Sequence, residues 1–333
     1  MMEADVQKSI LVTGGFGFIG SHLLEMLLRR PENRVHVVDS MVTSPIKLDS
    51  YLQQLEGSER LSYDLCTVRE FFAKVEIPKF DEIYHLASVV GPVGVLKHSG
   101  VILRDMVGDT YDLIDYCSEH GSKLCDISTS EVYGGGRNGY CCENDSMIIP
   151  PKISVRLEYS VSKLACEVAM VNTCRTSSLN AKIVRPFNVA GPRQATAGGF
   201  VLPRFIKQAL AEEPLTVYGQ GNSVRAFTDV RDIADGIVRT MCCGRSGEAY
   251  NIGNPANKTT ILDLAKRVVQ ITGSKSEISF VDPKVLWGPL FEEANDKYPD
   301  ADRAFNELGW RPKAGLDTII RESVEYIRAE RCN

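Results

Sequence analysis

The chain of 333 residues lacks the marks of several broad protein classes. No apolar run approaches the roughly 18 residues that a membrane span requires, so no transmembrane helix is expected. Positive charge is not in surplus. Lys and Arg number 38 against 43 Asp and Glu, and a net charge of -5 gives no field to hold a nucleic-acid backbone or an anionic membrane. A small-molecule partner is expected, with no nucleic acid and no membrane. The stretch Met1–Lys8 is short and mixed in charge, and glycine turns interrupt the apolar residues behind it, unlike a secretion signal. A cytoplasmic location is therefore expected. Histidine is scarce, and none lies at ligand spacing from Cys141-Cys142 or Cys242-Cys243, which are adjacent rather than spaced as C-x-x-C. No metal site is expected. The ten cysteines are scattered through predicted strands and helices, as reduced thiols are, rather than set out as a disulfide framework.

What is present is an ordinary globular composition, 44% hydrophobic and 24% charged, at a length that suits one large α/β unit with an elaborated second lobe. Ser9–Thr13 is a β-rich run, Ser21–Arg30 has helical periodicity, and Arg34–Asp39 is again β-rich. Glu82–Leu86 and Leu124–Ser128 repeat the pattern after intervening helices. Such alternation specifies a doubly wound parallel sheet with helices on both faces. Lys182–Pro186 is a further strand candidate and Phe200–Glu212 a helix candidate. From about Thr259 the chain reads as helix, strand, loop and helix, punctuated by Pro283, Pro289, Pro299 and Pro312. Gly134-Gly135-Gly136 and Gly198-Gly199 read as mobile loops at the border of a cleft.

Directly after the first strand comes Thr13-Gly14-Gly15-Phe16-Gly17-Phe18-Ile19-Gly20, which opens into a helix. Glycines at 14, 17 and 20 let the chain turn tightly off the strand, admit a pyrophosphate close to the backbone, and aim a helix N-terminus at its charge. Asp39, at the end of the second strand, can accept hydrogen bonds from an adenosine ribose and would repel a 2′-phosphate, which favours NAD over NADP. Asp64 precedes Leu65 at the end of the third strand. It either meets the adenine or caps the helix that begins near Val68.

Tyr159-Ser160-Val161-Ser162-Lys163 puts a phenol and an ammonium four residues apart, on one face of a helix. The ammonium favours the phenolate, which makes Tyr159 a base candidate. At a strand end before it lies Ser128-Thr129-Ser130-Glu131-Val132-Tyr133-Gly134. With these pieces, and with His85-Leu86-Ala87-Ser88, Arg185–Pro192, Pro214–Asp232 and Leu308-Gly309-Trp310, nearly the whole chain resembles the extended short-chain dehydrogenases/reductases that modify nucleotide sugars.

The resemblance implies a Rossmann NAD domain over 1–188, rejoined by 232–262, and a smaller C-terminal α/β lobe over 189–231 and 263–333 that holds the nucleoside diphosphate. It also implies an NAD regenerated in each cycle and frequent homodimers. By this likeness Gly14, Gly17, Phe18, Ile19, Gly20, Asp39, Asp64, Leu65, Leu86, Ala87 and Ser88 meet the cofactor. Tyr159 removes a sugar hydroxyl proton, Thr129 holds that oxygen, and Lys163 tunes Tyr159 and binds the nicotinamide ribose. One departure lies in Asp105-Met106-Val107-Gly108-Asp109-Thr110, where many relatives carry Asn in an N-V-x-G-T pattern.

A transient 4-keto sugar has three exits: decarboxylation, elimination, or turnover of the ring before reduction. Ser130-Glu131 matches UDP-glucuronate decarboxylases, whereas many 4,6-dehydratases have Asp-Glu and family epimerases often lack the acid. Glu131 can equally be a solvated loop carboxylate. Arg156 stands where decarboxylases and some epimerase-like relatives have arginine, fit to hold a carboxylate or phosphate oxygen, or simply on the surface. Lys297 falls where decarboxylases place arginine, and keeps the charge without the bidentate fork. Arg225 and Asn188, then Arg193 and Arg204, are the candidates for the diphosphate, and Asp232 is expected to cap a helix near Ile233. The leading expectation is decarboxylation of a UDP-hexuronic acid; a 4-epimerase or 4,6-dehydratase, and a non-catalytic NAD-binding module, are the alternatives.

Overall fold

The computed structural model describes residues 7–134, 139–149, 155–196, 199–288 and 296–332. The loop candidates Gly135, Gly136 and Gly198, and Pro289, lie outside the described residues.

The first half runs β1 (Lys8–Thr13), α1 (Phe18–Leu28), β2 (Asn33–Val38), α2 (Leu48–Gln54), β3 (Leu61–Asp64), α3 (Val68–Phe72), β4 (Glu82–His85) and α4 (Pro92–Lys97). It continues with α5 (Ile102–His120), β5 (Lys123–Ile127), β6 (Gly139–Cys141), α6 (Val155–Thr176) and β7 (Asn180–Pro186). Seven strands, with β12 (Ala249–Ile252) among them, form one sheet in the order β12-β7-β5-β4-β1-β2-β3, every pair parallel. Residues such as Ile10, Leu11, Val12 and Ile83 are wholly buried, as they must be where helices cover both faces of a parallel sheet. This is the doubly wound Rossmann-type fold that the alternation predicts. The strand order reverses between β1 and β4, the switch point at which such sheets bind ligands.

The remaining elements build smaller sheets. They are β8 (Val189–Ala190), α7 (Val201–Leu210), β9 (Leu215–Tyr218), β10 (Val224–Ala226), β11 (Thr228–Asp229) and α8 (Val230–Cys243). After β12 come β13 (Lys258–Thr260), α9 (Ile261–Thr272), β14 (Ile278–Val281), α10 (Pro283–Trp287), β15 (Lys297–Pro299), α11 (Asp302–Glu307) and α12 (Leu316–Cys332). β13, β10, β15 and β6 make a four-stranded sheet, and β8 pairs β11 while β9 pairs β14. Helices α7, α9 and α12 close a separate hydrophobic cluster through Leu202, Phe205, Leu264, Val268, Ile319 and Ile320. β6, between β5 and β7 in the chain, leaves their sheet to pair with β15, and so carries residues 139–141 into the smaller sheet.

Two capping expectations are corrected. Thr67, not Asp64, caps α3, because the Thr67 hydroxyl accepts from Glu70 N–H and the Glu70 carboxylate reaches back to Thr67 N–H in a reciprocal box. Asp229, not Asp232, caps α8, which begins at Val230. Asp232 lies one turn in, where it accepts from the backbone N–H groups of Lys313 and Ala314 and ties the segment before α12 to α8.

Candidate active site

The glycine turn is tighter than any side chain allows. A Cβ on Gly20 would sit 2.2 Å from Gly14 O, and one on Gly14, whose φ is +69°, would meet Ala87 N at 2.7 Å. Ala87 and Leu86 therefore flank the turn. Phe18 and Ile19 open α1, whose N-cap Gly17 provides no side-chain cap and whose first turn has no acid, so its N–H groups face an incoming anion uncontested. Asp39 accepts from Phe16 N–H at 2.9 Å and Met41 N–H at 2.8 Å, and burial pushes its carboxyl up despite these bonds. The turn, the open helix end and a carboxylate anchored at the end of β2 fit a dinucleotide with a free ribose. Asp64 is bound by Lys74 at 2.8 Å and His36 at 3.0 Å, which hold its carboxyl below the usual range, and Leu65 is exposed beside it. The Ser88 hydroxyl donates to Val89 O at 3.4 Å.

Tyr159 and Lys163 lie on α6 above the end of β5. Lys163, 3% exposed, donates from Nζ to Ile127 O at 2.6 Å. Burial pushes the Tyr159 phenol up, while the Lys163 ammonium and a hydrogen bond with Thr129 pull it down. The Thr129 Oγ1 accepts from Glu131 N–H at 3.2 Å, so its proton is free for the phenol oxygen. Ser130 is buried in the same turn.

Glu131 is no solvated loop acid. Arg156 grips its carboxylate through Nε at 2.9 Å and through Nη2, and Lys297 Nζ binds the other oxygen. These two cations outweigh burial and hold the Glu131 carboxyl down at about 2. Lys297 is 2% exposed, and burial lowers it to about 8 despite the carboxylate. The register of β10 and β15 pairs Arg225 with Lys297, which brings a third cation to the same corner. The candidates Glu131, Arg156, Lys297 and Arg225, distant in sequence, thus converge on one corner, and Tyr159 senses the charge of its Glu131.

The other substrate candidates divide. Asn188, at φ +37°, donates from Nδ2 to Ala226 O at 3.3 Å, next to Arg225. Arg204 lies over the Tyr218 ring at 4.0 Å and donates to Thr216 O. Arg193 is turned to α1 instead, where its Nη2 pairs with Glu25 at 2.7 Å and donates to His22 Nδ1 at 2.9 Å. Its role here is to fasten the loop after β8 to the helix that follows the glycine turn.

Two buried groups beside the pair escape sequence reasoning. Asp126 interrupts the apolar run of β5, and His85 ends β4 with its Nδ1 on Thr13 Oγ1 at 2.7 Å. An acid within a strand that reads as fully buried was the available signal.

The family model of the NAD dependent epimerase/dehydratase family matches residues 10–253. The chain is 32% identical over 324 residues to UDP-glucuronic acid decarboxylase 1 of Xenopus tropicalis, covering 97% of this chain and 73% of the frog protein. It is 30% identical over 329 residues to the UDP-N-acetyl-alpha-D-glucosaminuronate decarboxylase of Bacillus cytotoxicus, covering 97% and 98%. Among solved structures, the UDP-glucuronic acid 4-epimerase of Bacillus cereus, in complex with UDP-glucuronic acid and NAD, aligns with a TM-score of 0.83 at 28% identity over 97% of this chain and 99% of that one.

Proposed function

The chain belongs to the NAD-dependent epimerase/dehydratase family, and on that premise we propose that it decarboxylates a UDP-hexuronic acid by way of a transient 4-keto sugar. One observation carries the reading. Arg156 and Lys297 both bind Glu131, and the strand register sets Arg225 beside Lys297, so three basic side chains gather at the corner that holds Glu131. A UDP-hexuronic acid brings a carboxylate on the ring as well as the diphosphate, and such a basic corner suits both.

Bound NAD supplies a reversible two-electron acceptor, and the chain supplies the rest. Tyr159 takes the proton from the C4 hydroxyl, whose oxygen Thr129 holds, and Lys163 steadies the phenolate through charge. At the ketone stage the C5–C6 bond breaks, its electron pair passes to an enolate at O4, and the carboxylate leaves as carbon dioxide. C5 then gains a proton, and Tyr159 returns its own proton to O4 as the ketone is reduced. Elimination of a C6 hydroxyl calls for a proton donor, and Glu131, held at about 2 and shared by two cations, is a poor one. Loss of carbon dioxide requires no such donor at C6, which favours decarboxylation over the dehydratase reading. The 4-epimerase reading stands second, because a relative of this fold is a 4-epimerase crystallised with UDP-glucuronic acid.

Proton NMR of the purified protein with NAD and UDP-glucuronic acid tests both. A pentose product with release of carbon dioxide is expected; a retained carboxylate with inverted C4 would replace this reading with the epimerase.

A further inference from the structure

Asp126 is 1% exposed, and its Oδ2 has no hydrogen-bond partner among the described residues. A carboxylate is retained in such a place only against a compensating charge or donor. Along β5 the side chains of Leu124, Asp126 and Ser128 share one face. Helices α5 and α6 cover that face, since Leu124 packs in one cluster with Cys166 and Met170, and Ser128 donates to Glu167. The register sets Asp126 beside His85 on β4 and Ile183 on β7.

The charged and titratable neighbours among the described residues come from β4, α5 and α6. His85 Nε2 lies 4.0 Å from Asp126 Oδ1. Thr13 Oγ1 accepts from Ala87 N–H and shares a hydrogen bond with His85 Nδ1, which fixes the imidazole ring beside Asp126. Burial holds His85 down at about 3, so it presents a dipole rather than a charge. From α6, Glu167 is neutralised by Arg185 through bonds of 3.0 and 2.5 Å, Cys166 is a buried thiol that donates to Met106 O, and Tyr159 engages Thr129. On α5, Asp109 is pushed up to about 7, first by burial and then by Asp112, and it senses Lys163 as well. Burial pushes the Asp126 carboxyl up, and Lys163 is the cation among the described residues that pulls it down; the Lys163 Nζ is bound to the carbonyl of the very next residue, Ile127.

We propose that Asp126 is a positioning residue that acts through Lys163: its buried carboxylate is the counter-charge that keeps this ammonium protonated and in place beside Tyr159. The proposal rests on the Tyr159–Lys163 chemistry of the family reading and not on which sugar is the substrate. Burial works against the Lys163 ammonium, and Asp126 is the foremost neighbour that supports it. Removing that anion lowers the pH at which Lys163 loses its proton, so the alkaline limb of any property that needs the ammonium moves toward neutrality.

The test compares wild type with Asp126→Asn and Asp126→Leu, the second suited to the apolar face should the first fail to fold. Two profiles are followed against pH on the holoenzyme: single-turnover reduction of bound NAD by a nucleotide sugar, read by absorbance, and NAD affinity, read by intrinsic fluorescence. In both variants the alkaline limb is expected to move down by about one pH unit or more, with NAD affinity at neutral pH unchanged. A folded variant of either kind that keeps the wild-type limb overturns the proposal. If no nucleotide sugar reduces NAD in the wild type, the functional reading falls, and the limb of NAD affinity still decides the role of Asp126.

Discussion

Replacing Glu131 with Gln keeps the shape of the corner and removes the charge that two cations share. Each tenfold change in proton affinity is worth about 1.36 kcal/mol, so holding this carboxyl at about 2 instead of an ordinary 4.5 stabilises the fold by about 3 kcal/mol at neutral pH. The side chain is 18% exposed, so solvent screening takes little of this. Part of the loss is relieved, because Lys297, already lowered to about 8, releases its proton once the carboxylate is gone. A net loss of roughly 2 to 3 kcal/mol remains, at the lower edge of the roughly 3 to 5 kcal/mol that breaking one side of a buried pair costs. For a chain of this length that is a fall in Tm of about 4 °C. The sign with pH follows from a depressed carboxyl: the contribution is complete above 4.5 and is lost as pH falls toward 2. Urea titrations of both proteins should therefore show the gap shrinking by about 1.4 kcal/mol as the Glu131 carboxyl takes up its proton between about pH 5 and pH 3.5. A gap below about 1 kcal/mol at neutral pH, the value of an exposed ion pair, would refute the argument and return Glu131 to solvent.

Gly20→Ala places a methyl 2.2 Å from Gly14 O, and the loop must open to admit it. NAD titration should show at least a tenfold weaker complex, with far-UV dichroism unchanged; wild-type affinity would mean that the loop yields freely. Trp310 is fully buried, stacks on Phe305 at 5.8 Å and donates from its indole N–H to Asp232 O at 2.9 Å. Trp310→Ala should cost about 3 to 5 kcal/mol in urea denaturation, and a cost under about 1 kcal/mol would show that the site collapses around the cavity.

Much of this protein was legible in one dimension, and for local reasons. The apolar runs of β1, β4 and β5 separated by helical periods dictate a parallel sheet, because strands buried on both faces cannot carry an alternating pattern. Gly14, Gly17 and Gly20 are legible because the steric demand for glycine acts within a single turn, and Tyr159 and Lys163 because one turn of α6 sets their spacing. Helix starts were less secure. Asp64 and Asp232 are capping types at credible positions, yet Thr67 and Asp229 hold the caps, and the choice depended on how the flanking backbone turned.

Tertiary structure decided what charge does at long range. Glu131 meets Lys297 across 166 residues, and only the pairing of β15 with β6 and β10 closes that distance. Arg193, which has the residue type to hold a diphosphate, faces α1 because the loop after β8 turns it there. Asp126 is visible in the sequence as an acid in an apolar strand, but its meaning comes from the helix laid over it. The sequence by itself determined the elements, the order of the sheet-forming units and the cofactor loop, all set by interactions a few residues in reach; which side chains neutralise one another was decided only when distant strands paired, since electrostatic partners are chosen by distance in space and by the burial that the fold imposes.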